Sequence, residues 1–407
     1  MTSVNRTVTM CLAIVTVGQF PAFLTGASAV QIRAELGFSV TLLGLAISGF
    51  FIVSAATSAV AGHVVERVGW PAGLRRGMSI TVVSLVGVAL LADTWLLLAG
   101  FLALAGLGNA LSQPAANLAL VRVVPPNRYG LVFGVKQSAI LIATLLGGLS
   151  VPVVALTIGW RWTYGFAAAI GFAAATGTFT LRDAEPAGPA TEPPTVDQLE
   201  EPIEATAPVA LSRRRPGALP ARALRALLLV ATVGFGSAMV GNALGAFLVS
   251  SAVADGMLPG RAGLLLAGSS LLGLAVRVGI GWLADQRPIH PLRAMSILLF
   301  LGSAGCVLLA LEPMLVVVGA LLAVGAGWGW PGLYNLAVVR AYPLAAAAAT
   351  GVSQTGIYLG AAIGPIVLGL VADTVGFTGL WLTTTAIALT SAAMALTGHR
   401  VLARQPQ

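Results

Sequence analysis

Apolar stretches of about twenty residues recur along the whole chain, separated by short segments that gather the arginines, prolines and glycines. A run of that length crosses the hydrocarbon core of a bilayer as helix. The pattern predicts twelve such helices, over 9–30, 41–64, 74–93, 95–122, 131–157, 161–181, 223–250, 261–284, 292–311, 313–340, 350–373 and 377–398. The first run, VTMCLAIVTVGQFPAFLTGASAV, is too long for a cleaved signal and leads straight into the next, so it is read as a retained first span. Residues 183–222, rich in Pro, Ala and Glu, interrupt the series; that composition buries no core and reads as a linker. The expectation is an all-α polytopic membrane protein, with a six-helix bundle over 1–182, a cytoplasmic linker over 183–222 and a second six-helix bundle over 223–407.

Composition strengthens this picture. Hydrophobic residues make up 57% of the chain and charged residues 9%, which excludes a string of soluble domains. When the loops are assigned alternately to two faces, one face collects nearly all the arginines. The other holds only Arg33, Arg161 and Arg261, beside Glu35, Asp93, Asp255, Glu312 and Asp373. Basic loops stay on the cytoplasmic side, so both termini are expected there and the protein in the cytoplasmic membrane. The same asymmetry accounts for the net charge of +8 without invoking nucleic acid. Cys11 and Cys306 fall inside spans, and His63, His290 and His399 sit at span edges without ligand spacing. No metal, cofactor or enzyme activity is therefore expected.

The chain repeats itself. Gly134, Val135, Gln137, Ile140, Gly147 and Gly159 recur as Gly351, Val352, Gln354, Ile357, Gly364 and Gly376 at a single offset, and Asn117, Arg122 and Pro125 recur as Asn335, Arg340 and Pro343. Two halves in parallel orientation are expected to enclose a central cavity and to rock about it. Glycine and alanine pairs in spans five and eleven allow close helix approach.

The stretch GHVVERVGWPAGLRRG, with Gly62, Glu66, Arg67, Gly69, Arg75 and Arg76, resembles the loop between spans two and three of the major facilitator superfamily. GWLADQRPIHPLR, with Asp285, is similar to its second copy, although Gln286 stands where Arg is usual. The resemblance implies a transporter in which Gly62, Glu66, Arg67 and Asp285 belong to the gate, the acid capping a helix N-terminus when the halves close.

Charges within spans are the first functional suspects. No Asp or Glu lies near a span's middle; only Lys136, the sole lysine, and Arg277 lie clearly inside. Their counterparts in the repeat are Ser353 and Ser58, so the cations are not required by the architecture. The superfamily resemblance places spans five and eight side by side, so the two cations are expected to face one another and to take an anion between them. The competing explanation is that each side chain snorkels to the headgroups. RVGIGWLAD, with Arg277, is similar to the eighth span of oxalate/formate and monocarboxylate carriers, which implies a carboxylate substrate. FGVKQSA and GWRW resemble the cyanate and nitroimidazole transporter group. Gln19, Phe20 and Phe23, Asn109, Gln137, Asn242, Trp328 and Trp330, Gln354 and Tyr358 supply further polar and aromatic candidates near span middles.

The function expected is a secondary active transporter moving a small organic anion, a carboxylate, by alternating access. Its partners would be that anion, the lipid bilayer and, as a candidate coupling ion, the proton. The alternative is a proton-coupled efflux pump for neutral or drug-like compounds. A buried carboxylate, which cationic-drug exchangers use, is missing from the spans.

Overall fold

The computed structural model describes residues 3–124, 129–180, 221–287, 289–311, 313–342 and 346–403. Most of the expected linker lies outside these residues. Among the described residues every regular element is helical. The first half contains α1 (Ser3–Ala27), α2 (Ala29–Leu36), α3 (Val40–Val68), α4 (Trp70–Leu91), α5 (Trp95–Val123), α6 (Tyr129–Gln137), α7 (Ala139–Ser150) and α8 (Trp160–Gly177). The second contains α9 (Ala221–Ala254), α10 (Pro259–Gln286), α11 (Pro291–Leu311), α12 (Val316–Gly325), α13 (Pro331–Ala341) and α14 (Ala346–Ala403).

Local chemistry punctuates these helices. Ser39 and Thr94 cap α3 and α5, their hydroxyls accepting from the Leu42 and Leu97 amides at 3.2 and 3.3 Å. Gly69, at φ 81°, ends α3 and starts α4, a conformation that a side chain resists. Gly159 and Gly376, at φ 104° and 86°, make the corresponding turns after the fifth and eleventh spans, as their places in the repeat require.

Nine segments among the described residues are long and apolar enough to cross a bilayer. The last of them, Ser353–Gly398, is broken at Gly376 and makes two passes. The shorter α8 and the interrupted pair α12–α13 complete the twelve. The helices run beyond several expected spans: α4 begins at Trp70 rather than 74, and α9 reaches Ala254 rather than 250. Hydropathy marks the bilayer core, whereas hydrogen-bonded helix continues into the interface. Two spans read as continuous are interrupted. The fifth has a step at Ser138 and a π-helical stretch at Val151–Ala155 that includes Pro152; the tenth is unwound between Gly325 and Pro331.

The halves meet through α1 against α9, α7 against α10, and α3 against α14. Away from the arginine-rich face the contact is tight. A Cβ built on Gly148 would stand 2.5 Å from the Gly263 carbonyl, so only glycine lets α7 and α10 approach this closely. At the contact of α3 with α14, the Asp373 carboxylate accepts from the Val40 and Thr41 amides at 3.0 and 2.6 Å, so an acid of α14 caps α3 across the half-to-half boundary.

That face also gathers the charges assigned to it. Arg161 pairs with Glu35 and, at 3.1 Å, with Asp93, and its guanidinium lies 4.4 Å from the Trp160 ring centroid. Trp160 donates to the second Glu35 oxygen at 2.6 Å. Three loops of the first half are thereby tied together, as the alternation of loops requires.

Candidate functional site

Lys136 stands two residues before the step in the fifth span. It is 6% exposed, and its ammonium donates to Asn117 Oδ1 of α5 at 2.6 Å. It closes a narrow crevice whose other walls are Val8, Leu12, Leu120, Val132 and Val135, with the Cys11 thiol alongside. An ammonium reaching for headgroups would be exposed, so Lys136 does not snorkel.

Arg277, on α10, is 4% exposed and equally withdrawn. Its Nη1 donates to the main-chain carbonyl of Gln137 at 2.7 Å, and its Nη2 to the carbonyl of Trp328 in the unwound part of the tenth span. Its Nε is buried without an acceptor. The expected face-to-face pair of cations is therefore not what the geometry builds: each cation has its own neutral acceptors. Among the described residues no carboxylate pairs with either. Two positive charges are held away from water with only amide and carbonyl oxygens to stabilise them, a costly arrangement.

Asn109 organises a second polar group. Its Oδ1 accepts from Gln19 at 3.1 Å and from Gln113 at 3.3 Å, while its Nδ2 donates to Ser54 Oγ at 2.7 Å. Gln19 is buried, and its Oε1 has no partner. Asn109, Gln113 and Asn117 are four residues apart on α5, so one helix face carries a polar stripe from Gln19 to Lys136. Gln113 and Ser54 were missing from the sequence candidates, and Asn117 entered only as a repeat position. The spacing of four along α5 signals Gln113 and Asn117, whereas nothing local to α3 signals Ser54.

The other candidates scatter. Gln137 contributes its main-chain carbonyl rather than its amide. Asn242 donates to Ala238 of its own helix at 2.9 Å. Gln354 and Tyr358 hydrogen-bond to one another on α14. Trp330 is buried edge-on against Tyr334, with ring centroids 5.7 Å apart, and its indole nitrogen has no acceptor. Phe23 of α1 meets Trp328 across the boundary at 5.6 Å between centroids, while Phe20 is buried on the same helix. Of the gate residues, Gly62 lies near the end of α3, where Glu66 and Arg67 are exposed. The Asp285 side chain lies outside the described residues.

The described helices build a membrane protein of two six-span halves with buried polar groups in its interior. Over residues 9–341 the sequence matches the family model of the Major Facilitator Superfamily, and the chain belongs to that superfamily. Two transporters are among the solved structures that share its fold. A mutant of the nucleoside transporter NupG aligns with a TM-score of 0.68 at 15% identity, over 96% of this chain and 99% of that one. A bacterial homolog of the human lysosomal transporter Spinster, inward-facing and unoccupied, aligns with a TM-score of 0.73 at 14% identity, over the whole of both chains. No curated protein matches the sequence.

Proposed function

We propose that this protein is a secondary active transporter for a small organic anion, a monocarboxylate or short dicarboxylate, acting by alternating access. One observation carries the reading: Lys136 and Arg277 are both buried, both turned from lipid, and both supplied with neutral acceptors alone. A guanidinium holds a carboxylate by two bonds, whereas an ammonium adds a compact charge. An anion would give either cation a charged partner in place of a neutral one. The polar stripe on α5 would meet the hydrogen-bonding remainder of the substrate, and the walls around Lys136 its apolar part.

In this reading the arginine-rich face is cytoplasmic, both termini lie inside and the protein sits in the cytoplasmic membrane. The bundles 1–182 and 223–407, joined by 183–222, rock about the polar centre. Gly62, Glu66, Arg67 and Asp285 form the gate on the cytoplasmic side. Coupling runs through a proton carried by the substrate or through exchange for another anion.

The test is transport in proteoliposomes over a panel of labelled carboxylates, with nucleosides as controls, with and without a pH gradient. Saturable carboxylate flux that collapses in Lys136→Met and Arg277→Met is expected. Full-rate flux in both variants, or flux of nucleosides alone, defeats the anion reading. The aromatic contact of Phe23 with Trp328 favours a second reading, proton-coupled efflux of neutral drug-like compounds. Flux of such compounds indifferent to both substitutions would establish it.

A further inference from the structure

Arg277 does something that an anion site alone does not require: it fastens two interrupted helices to each other. In the fifth span α6 stops at Gln137 and α7 resumes at Ala139; in the tenth, α12 stops at Gly325 and α13 begins at Pro331. A carbonyl released from a helix within a membrane needs another donor. Here one side chain serves both interruptions, reaching Gln137 O in the first half at 2.7 Å and Trp328 O in the second. The guanidinium thus bridges the halves through one carbonyl from each. Its Nε edge stays buried and unpartnered. A main-chain carbonyl is also a weaker acceptor for a guanidinium than a carboxylate, which takes two parallel charge-assisted bonds.

We propose that Arg277 is a ligand-operated staple. Bound to the carbonyls of Gln137 and Trp328, it holds the two interrupted spans together. An organic anion entering at the Nε edge takes Nε and Nη2 by two bonds, displaces the Trp328 carbonyl, swings the guanidinium away from Gln137 O and lets the halves part at the arginine-rich face. This rests on the reading of Arg277 as an anion ligand and adds the step that converts binding into movement. A ligand shifts a two-state equilibrium only by the difference in its affinity for the two states. Competition between a carboxylate and a hydrogen bond that crosses the halves supplies such a difference, on the order of 10- to 100-fold in population for a bond from a charged donor. Interrupted spans are suitable places for the resulting hinge, because a few residues there can absorb the change in backbone angle.

The experiment places spin labels on Arg76→Cys and Arg287→Cys, exposed positions at the arginine-rich ends of α4 and α10. The background carries Cys11→Ala and Cys306→Ala, and distances are read by pulsed electron resonance in lipid nanodiscs. Saturating benzoate or oxalate is expected to move the population to the longer distance by about 10- to 100-fold. Arg277→Met is expected to show the longer distance without any anion. Arg277→Lys, whose single ammonium centre replaces two separated nitrogens, is expected to span the two carbonyls poorly and to start open while still binding the probes. Binding seen as tryptophan quenching, with the distance in the unsubstituted chain unmoved, overturns the staple while sparing the anion site. If neither probe binds, the anion reading fails, and the anion-free distance in Arg277→Met decides the staple: a short one overturns it. Should Arg277→Met fail to fold, the anion titration of the unsubstituted chain decides alone.

Discussion

Asn117 and Asn335 occupy the same place in the two halves, and the molecule treats them differently. Asn117 accepts the Lys136 ammonium at 2.6 Å. Asn335 Oδ1 is buried without a partner, and the residue that corresponds to Lys136 is Ser353. The turns after the fifth and eleventh spans repeat the contrast. Gly159 and Gly376 share a positive φ, but Trp160 and Arg161 follow the first and hold Glu35, whereas Phe377 and Thr378 follow the second. In both cases the position is duplicated and the charge is not. The order of the spans and the glycine turns are common to the two halves, whereas the interruptions of the fifth and tenth spans and the charges belong to one half each. At the rim an added ion pair costs little. In the middle of the membrane an added cation costs several kcal/mol, so its presence calls for a use that the architecture does not provide.

The sharpest way to break the comparison is to make the first half like the second. Lys136→Ser leaves Asn117 in the condition of Asn335. Carboxylate flux is expected to fall by about 100-fold or more, because truncating one member of a buried charged pair costs roughly 2–5 kcal/mol. The melting temperature in detergent should hold or rise, since a buried charge has been removed. A large loss of stability with unchanged flux would mean that Lys136 serves the helix after all.

The converse, Ser353→Lys, offers Asn335 the ammonium that it lacks. Ser353 is fully buried, and the space around it is filled, so overpacking and desolvation are expected to destabilise the protein by about 1–3 kcal/mol. A variant as stable as the parent would show that the second half is also prepared for a cation. Smaller still is Asp373→Ala. Asp373 corresponds to the apolar Leu156 of the first half, so its cap on α3 is another charge without a twin. Loss of that cap should cost about 1 kcal/mol, read from thermal unfolding.

The repeat explains which parts of this arrangement were legible in advance. The spans, their alternation and the equivalence of Gly159 with Gly376 follow from hydropathy and local turn chemistry, which neighbouring residues determine. The partners of the cations do not. Lys136 meets Asn117 because of how the fifth span is rotated against the fourth, and Arg277 meets Gln137 O because the fifth span is interrupted at Ser138. Neither fact is local to its own stretch. The unwound segment AGWGW, residues 326–330, was hidden for a related reason: glycine is common in membrane helices, so its presence there does not announce a break. The stripe of Asn109, Gln113 and Asn117 was available to inspection, since a spacing of four is a helical face.

The smallest effect tests the rim. About half of the Glu35 side chain is exposed, and partial burial alone would raise its pKa. The hydrogen bonds from Arg161 and Trp160, together with the Arg161 charge, outweigh that and hold the carboxyl below the ordinary carboxylate range. A depressed folded value means that the unfolded chain takes up the proton first. The contribution of Glu35 to stability is therefore complete above the unfolded value near ~4.3 and is lost as pH falls through the lower, folded one. Half-exposed ion pairs are well screened, so the effect is a modest one. Melting curves of the parent and of Glu35→Gln, taken from pH 7 down to 3, should be offset at neutral pH and converge below about pH 4. An offset that stays constant with pH would remove the charge from the explanation, leaving the first-half rim no different in kind from the neutral turn at Phe377 and Thr378.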